Sequence, residues 1–117
     1  MDIDDSLLPE LMLQAEVFCA QAEGAGEKTL SSAAMEDLRL KISQCRGALA
    51  ELQGKYEADQ LTITNAAVCA DLRNLVISLL WLSFLARNII DRRLFRKLVQ
   101  IESSFTYLLI TRRRGAR

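Results

Sequence analysis

The feature that most constrains this chain is the spacing of its apolar residues, which alternates between steps of three and four. One such run contains Met35, Leu38, Ile42, Cys45, Leu49, Leu52 and Tyr56, and a second contains Val68, Leu72, Leu75, Leu79, Leu82, Ala86 and Ile89. This spacing places all the members of a run on one side of an α-helix. No convincing apolar/polar alternation extends over five residues, so the sequence predicts an all-α protein.

Two further segments carry the same helical pattern. The first contains Leu8, Leu11, Met12, Ala15, Phe18, Cys19 and Ala22, and the last contains Leu94, Leu98, Ile101, Phe105 and Leu108. Gly24-Ala25-Gly26 is expected to end the first helix, because two glycines in three residues disfavour helix. A continuous helix from 64 to 111 would be about 70 Å long. We therefore expect a break at Asn88–Asp91, with one long helix in an elongated dimer as the alternative.

These patterns predict a bundle of three to four amphipathic helices. At 117 residues, half of them apolar, the chain has the size of one domain. Residues 1–28 form an acidic N-terminal helix and glycine linker, 29–111 a helical core, and 112–117 a basic frayed tail. Candidate helix caps are Ser6, Thr29, Ser31, Ser32, Thr62, Thr64 and Asp91, and 59–64 is the expected hairpin between the second and third helices.

The third predicted helix is apolar on every side. Outside its seam it carries Val76, Ile77, Leu80, Trp81, Phe84 and Leu85. Such a helix is surrounded by protein or by lipid. Its uncharged run, 74–86, is shorter than the ~18 residues of a membrane span, so we expect a central core helix and no span. In so small a chain, surrounding that helix requires a second copy or a partner, which predicts a homodimer.

The candidate interface comprises Ile77, Leu80, Trp81, Phe84 and Leu85. Aromatic side chains are favoured anchors of protein interfaces. The alternative is that all five residues belong to the core of a monomer.

The formal net charge is zero, but acidic and basic residues are distributed unevenly along the chain. Residues 1–27 contain seven acids and no base, whereas residues 61–117 contain ten bases and three acids. Either the acidic first segment packs beside the basic last helix, or one end attracts a charged partner. The basic partner face, on the helix predicted at 91–100, consists of Arg92, Arg93, Arg96 and Lys97. With the Arg-rich tail it could contact phosphates, although the near-neutral pI of 6.3 disfavours nucleic acid.

Catalytic chemistry has little support in the sequence. The chain has no histidine, which is the commonest general base and metal ligand. Three cysteines, Cys19, Cys45 and Cys69, form no CxxC pair and fall on or beside apolar stripes, so we interpret them as buried thiols rather than redox sensors. We expect no enzyme activity, no cofactor and no metal. The absence of a signal-like N-terminus and of a disulfide framework favours the cytoplasm.

Amphipathic helices such as Met35–Tyr56 and Val68–Ile89, with the short length and missing catalytic groups, give the chain its one family resemblance. It resembles the small all-helical antiactivators of LuxR-type quorum-sensing receptors, the TraM and QslA type. The resemblance implies a protein that sequesters a transcription factor by direct contact, and it transfers no individual residue. Helical secretion chaperones and complex subunits share these features. We therefore predict a non-enzymatic regulator or adaptor that binds a protein partner, with a small nucleic-acid-binding regulator as the alternative.

Overall fold

The computed structural model describes residues 7–58 and 66–115, and this part of the chain forms four helices and no strand. The helices are α1 (Leu7–Thr29), α2 (Ser32–Glu57), α3 (Ala66–Ala86) and α4 (Arg92–Gly115). The prediction of an all-α bundle is confirmed, and the number of helices is four.

The apolar stripes predicted from the sequence form the core. Every member of the α1 stripe is buried, and so is the α2 seam except for Tyr56, which is half-buried against it. The α3 seam is buried from Val68 to Ala86, and on α4 the buried residues are Leu98, Ile101, Phe105 and Leu108. Burial of these stripes removes apolar surface from water, which is the main force that holds such helices together.

The four helices close into a ring in which α1 packs on α2, α2 on α3, α3 on α4, and α4 on α1. Side-chain pairs give the directions of the helices. Lys41 lies over Trp81 while Lys55 pairs with Asp71, so α2 and α3 are antiparallel. The resulting bundle is a rod of 46 × 23 × 21 Å.

The expectation that Gly24-Ala25-Gly26 ends the first helix is wrong, because α1 continues through both glycines to Thr29. Gly26 is buried where α1 meets the start of α2. A Cβ atom at this position would lie 2.5 Å from Leu38 Cδ2 and 2.8 Å from Met35 Sδ. The glycine therefore permits close helix packing, which compensates for its poor helix propensity.

The helix boundaries agree with the predictions at two other points. Ser31 is the N-cap of α2, and its side chain accepts a hydrogen bond from the Ala34 N–H. The expected break between the last two helices is present at residues 87–91, and Asp91 Oδ1 accepts the Leu94 N–H at 2.9 Å. α4 extends through residues 112–115, which the prediction assigned to the basic tail rather than to the helical core. The predictions for Ser6, for the hairpin at 59–64 and for residues 116–117 lie outside the described residues.

The third helix is not enclosed within the single chain. It contacts α2 and α4 through its seam, while the opposite side remains exposed. That a second copy or a partner surrounds this helix stays a prediction, and one copy alone leaves it partly uncovered, as expected for so small a chain. The physical reason is that four helices of similar length form a ring, in which each one keeps an outward side.

Candidate protein interface

The outward side of α3 carries a contiguous stripe of large apolar side chains, which we call the α3 face: Ile77, Leu80, Trp81 and Phe84. Their exposed fractions are 47%, 56%, 50% and 69%. The residues share one side because their spacing of three, four and seven follows the helical repeat. Four of the five predicted interface residues thus lie together on the surface.

The fifth predicted residue, Leu85, has a different position. It is half-buried and packs against the core. It lies one residue beyond Phe84, and this rotation of about 100° around the helix turns it from the exposed side toward the bundle interior.

Trp81 is held in place by two neighbours. Its ring meets that of Phe84 edge to face, with the centroids 6.4 Å apart and an angle of 74° between the planes. The ammonium of Lys41 on α2 lies 5.2 Å from the centre of a Trp81 ring. These contacts fix the orientation of the indole while leaving half of it exposed.

A groove of about 380 Å³ between α2 and α3 continues the α3 face toward the other end of the bundle. Its lining residues are Gln44, Gly47, Ala48, Glu51, Asp71, Asn74, Ile77 and Ser78. At its far end Lys55 Nζ lies 2.6 Å from Asp71 Oδ2 and 3.7 Å from Glu51 Oε2. The hydrogen bond with Asp71 raises the pKa of Lys55 above its ordinary value.

Sequence reasoning missed both this groove and Leu40, an exposed leucine on α2. Leu40 lies off the seam, on the same helix side as Gln44 and Gly47. The signal in the sequence was weak, because isolated surface leucines are common. Only the packing of α2 beside α3 makes Leu40 part of a larger surface.

The basic partner face is exposed at the start of α4. Arg92, Arg93, Arg96 and Lys97 are all accessible, and none forms an ion pair with another described residue. Lys97 differs from the other three because it also lines a groove against α1. Four cations in the first turns of a helix oppose its dipole, so the side chains gain nothing from their position in the isolated chain.

The acidic residues of α1 do not neutralise this basic face, although α1 and α4 are neighbours. Arg46 on α2 contacts Glu16 at 2.9 Å and Glu23 at 3.8 Å, and Arg39 contacts Glu27 at 3.4 Å. The described acids of α1 that form ion pairs are therefore paired with α2. Within residues 7–58 and 66–115, the cations of the basic partner face therefore have no carboxylate at ion-pair distance.

The prediction of buried thiols is confirmed for two of the three cysteines and is wrong for Cys69, which lies one residue beyond the buried seam residue Val68. Cys19 and Cys45 are buried free thiols, and Cys69 is half-buried. A hydrogen bond with Cys19, followed by burial, raises the pKa of the Cys45 thiol far above its ordinary value, which keeps it protonated and unreactive. Residues 7–58 and 66–115 contain no group of three or more His, Cys, Asp or Glu side chains that could hold a metal ion.

By length and composition, α3 could also cross a membrane. The whole helix has 21 residues, its best 18-residue window has a mean hydropathy of 1.6, and a third of that window is buried inside the bundle. This window is longer than the uncharged run at 74–86 because it also includes the charged residues Asp71 and Arg73. A core helix of a soluble protein passes the same test.

Comparison with protein-family models, curated proteins and solved structures gives no match to this chain. Two surfaces of the four-helix bundle therefore indicate its function: the α3 face and the basic partner face.

Proposed function

We propose that this protein is a non-enzymatic regulator or adaptor that acts by stoichiometric binding to another protein. The observation that carries the proposal is the α3 face, with four large apolar side chains about half exposed or more. Together they present roughly 400 Å² of apolar surface, and contiguous patches of this size on monomers are often functional.

The energy available from covering this surface is substantial. At about 25 cal/mol per Å², burial of the α3 face contributes roughly 10 kcal/mol before the costs of association. Those costs are on the order of 4–15 kcal/mol, so additional polar contacts must supply the rest. This balance fits a regulated, stoichiometric complex.

The basic partner face is the proposed source of specificity. Its exposed cations attract an acidic partner and increase the association rate at low ionic strength. A transcription factor held in this way would make the protein an antiactivator, as the family resemblance implies. Expression in the cytoplasm is part of the same proposal.

A tagged pull-down from native lysate tests the proposal, with each sample split and one half treated with nuclease. We expect one protein at near-equal stoichiometry, unchanged by nuclease. Leu80→Glu should abolish its capture because it places a charge in the α3 face. Ile110→Glu is the matched control, since Ile110 is an apolar residue with 47% exposure on α4, far along the helix from the basic partner face. Equal capture by both variants would contradict the assignment of the α3 face.

The second candidate function is nucleic-acid binding, which the basic partner face favours because its arginines have no carboxylate partner among the described residues. In this case the untreated eluate would contain nucleic acid, and captured proteins would disappear after nuclease. Retention on DNA at physiological salt that is lost when Arg92, Arg93 and Arg96 are changed to Ala would establish this alternative.

A further inference from the structure

We infer that the α3 face is covered by a second copy of this chain, packed antiparallel across a two-fold axis that passes close to Gly47. This inference rests on the proposed function in one respect, because both require protein to cover the α3 face. It goes further by naming what covers the face when no target is bound, together with the register, and a target that uses the same face has to displace the second copy.

The shape of the surface is self-complementary. One half, from Ile77 to Phe84, projects large side chains, while the other half is the groove between α2 and α3. A two-fold axis lying in the interface, at right angles to the helices, reverses both helix directions. Trp81 and Phe84 of one copy then lie over the groove of the other, and large side chains meet an opening rather than each other.

Gly47 lies at the level of this axis. Lys41 is beside Trp81 and Lys55 is beside Asp71, so the midpoint of the surface, near Ile77, is level with Gly47. Gly47 is exposed, and a Cβ atom there would meet nothing within 4 Å. The chain therefore gives up helix propensity at a position where its own packing does not require glycine. Gly24 and Gly54 are open in the same way, so Gly47 is distinguished by its place at the level of the axis, where a second backbone that approaches α2 would require a glycine.

The positions of the charged side chains on α2 are also complementary in the antiparallel arrangement with its axis near Gly47. Lys41 lies at the end of the surface that carries Trp81, and Glu51 lies on the other side of Gly47. The Glu51 side chain is 69% exposed and makes only a 3.7 Å contact with Lys55. The two-fold operation brings Lys41 of each copy toward Glu51 of the other, which forms two opposite-charge pairs. Asp71 is already paired with Lys55, so its charge does not oppose this arrangement.

The available area is sufficient for a stable dimer. With Leu40, the surface offers about 500 Å² of apolar area. A standard interface buries roughly 800 Å² per partner, of which a little over half is non-polar. The apolar surface of one copy therefore matches the non-polar share of one side of a standard interface.

Sedimentation of the purified full-length chain tests the inference without any lysate component. From about 1 to 100 µM we expect a change from the 13.1 kDa monomer to twice that mass. Trp81 is the only tryptophan, so its fluorescence reports on this surface alone. Its emission should shift to shorter wavelength over the same concentration range as the indole leaves water.

Two arginine substitutions separate the interface from general effects on folding. Gly47→Arg places a large cation directly opposite its own copy and should weaken dimerisation by at least about 100-fold. Gly24→Arg is the matched control, because Gly24 is also helical and open but lies on α1, which does not contact α3 appreciably. It should dimerise like the wild type. Circular dichroism of both variants should show unchanged helix content.

Charge exchange tests the register and does not depend on Gly47. Lys41→Glu and Glu51→Lys should each weaken dimerisation by about ten-fold, because each creates two like-charge contacts. The double variant should recover the wild-type affinity. Failure of this rescue in a protein that still dimerises would overturn the proposed register.

A wild-type chain that remains monomeric at 100 µM, with Trp81 emission independent of concentration, would overturn the inference. The proposed function would survive that result if Leu80→Glu still abolished capture of a target. Conversely, a dimer with the predicted variant pattern but no captured protein would confirm the inference and refute the adaptor function.

Discussion

At the scale of single residues, the two glycines of α1 differ in the space that surrounds their Cα atoms. A Cβ atom at Gly26 would collide with buried Leu38 and Met35, whereas one at Gly24 would meet nothing within 4 Å. Both positions are helical, so alanine gains up to about 1 kcal/mol of helix propensity at each. The packing around each glycine therefore decides whether a change to alanine raises or lowers the free energy of unfolding.

We predict that Gly26→Ala lowers the free energy of unfolding by about 1 kcal/mol, because overpacking costs about 1–3 kcal/mol and exceeds the gain in propensity. Gly24→Ala should raise the free energy of unfolding by up to about 1 kcal/mol. Urea denaturation of the two variants and the wild type measures both changes. A stabilising Gly26→Ala would mean that Leu38 and Met35 can move aside.

The ion pair of Lys55 and Asp71 makes a second residue-scale prediction, on pH. Because the folded pKa of Lys55 is raised, its contribution to stability is complete below the unfolded value of about 10.5 and is lost as the pH rises through the folded pKa. The unfolding free energy of the wild type should therefore fall more steeply above about pH 10.5 than that of Asp71→Asn. Equal slopes in the two proteins would contradict a stabilising contribution of this ion pair.

At the scale of elements, the start of α4 depends on its cap. Asp91 Oδ1 accepts the Leu94 N–H, and the carboxylate stands at the N-terminus of the helix, where the helix dipole favours an anion. The boundary between α3 and α4 contains neither proline nor glycine, so this cap and the turn that follows Ala86 define the break.

We expect Asp91→Ala to cost about 1 kcal/mol of stability, measured by thermal or urea unfolding. Asp91→Asn keeps an oxygen that can cap the helix and should cost less, with the difference between the two variants giving the value of the hydrogen bond. An equal loss in both variants would assign the effect to charge rather than to capping.

At the scale of the whole molecule, α3 has two sides with opposite roles, and neighbouring leucines distinguish them. Leu79 is fully buried, whereas Leu80 is about half exposed. Leu79→Ala should destabilise the bundle by about 2–5 kcal/mol at every protein concentration. Leu80→Gln should change the stability of the monomer by less than about 0.5 kcal/mol.

The dependence of the unfolding midpoint on protein concentration also distinguishes Leu79 from Leu80. A dimer raises the unfolding midpoint of the wild type as the protein concentration rises, because association stabilises the folded state. That dependence should persist in Leu79→Ala and disappear in Leu80→Gln. Denaturation at two concentrations separated by about 100-fold measures it, and a wild-type midpoint that does not move would contradict association through the α3 face.

The four helices, apart from the end of α1, and most of the residues that they bury follow from the sequence alone. Apolar spacing is a local property, and burial of a stripe such as Leu72 to Leu82 is the only favourable solution for a helix with that pattern. The excess of apolar residues on the third helix was also visible in the sequence, and Ile77, Leu80, Trp81 and Phe84 are exposed in the structure, while their role as an interface stays a prediction. The break near Asn88–Asp91 followed from the limited length of a compact domain.

The way in which these surfaces combine follows from the packing of the helices against one another. The role of Gly26 depends on Leu38, which is twelve residues away, and no local rule distinguishes it from a glycine that ends a helix. The groove beside Gly47 exists because α2 and α3 pack antiparallel, and Leu85 turns inward because that packing fixes the rotation of α3. Helix formation depends on neighbours in sequence, whereas these features depend on neighbours in space.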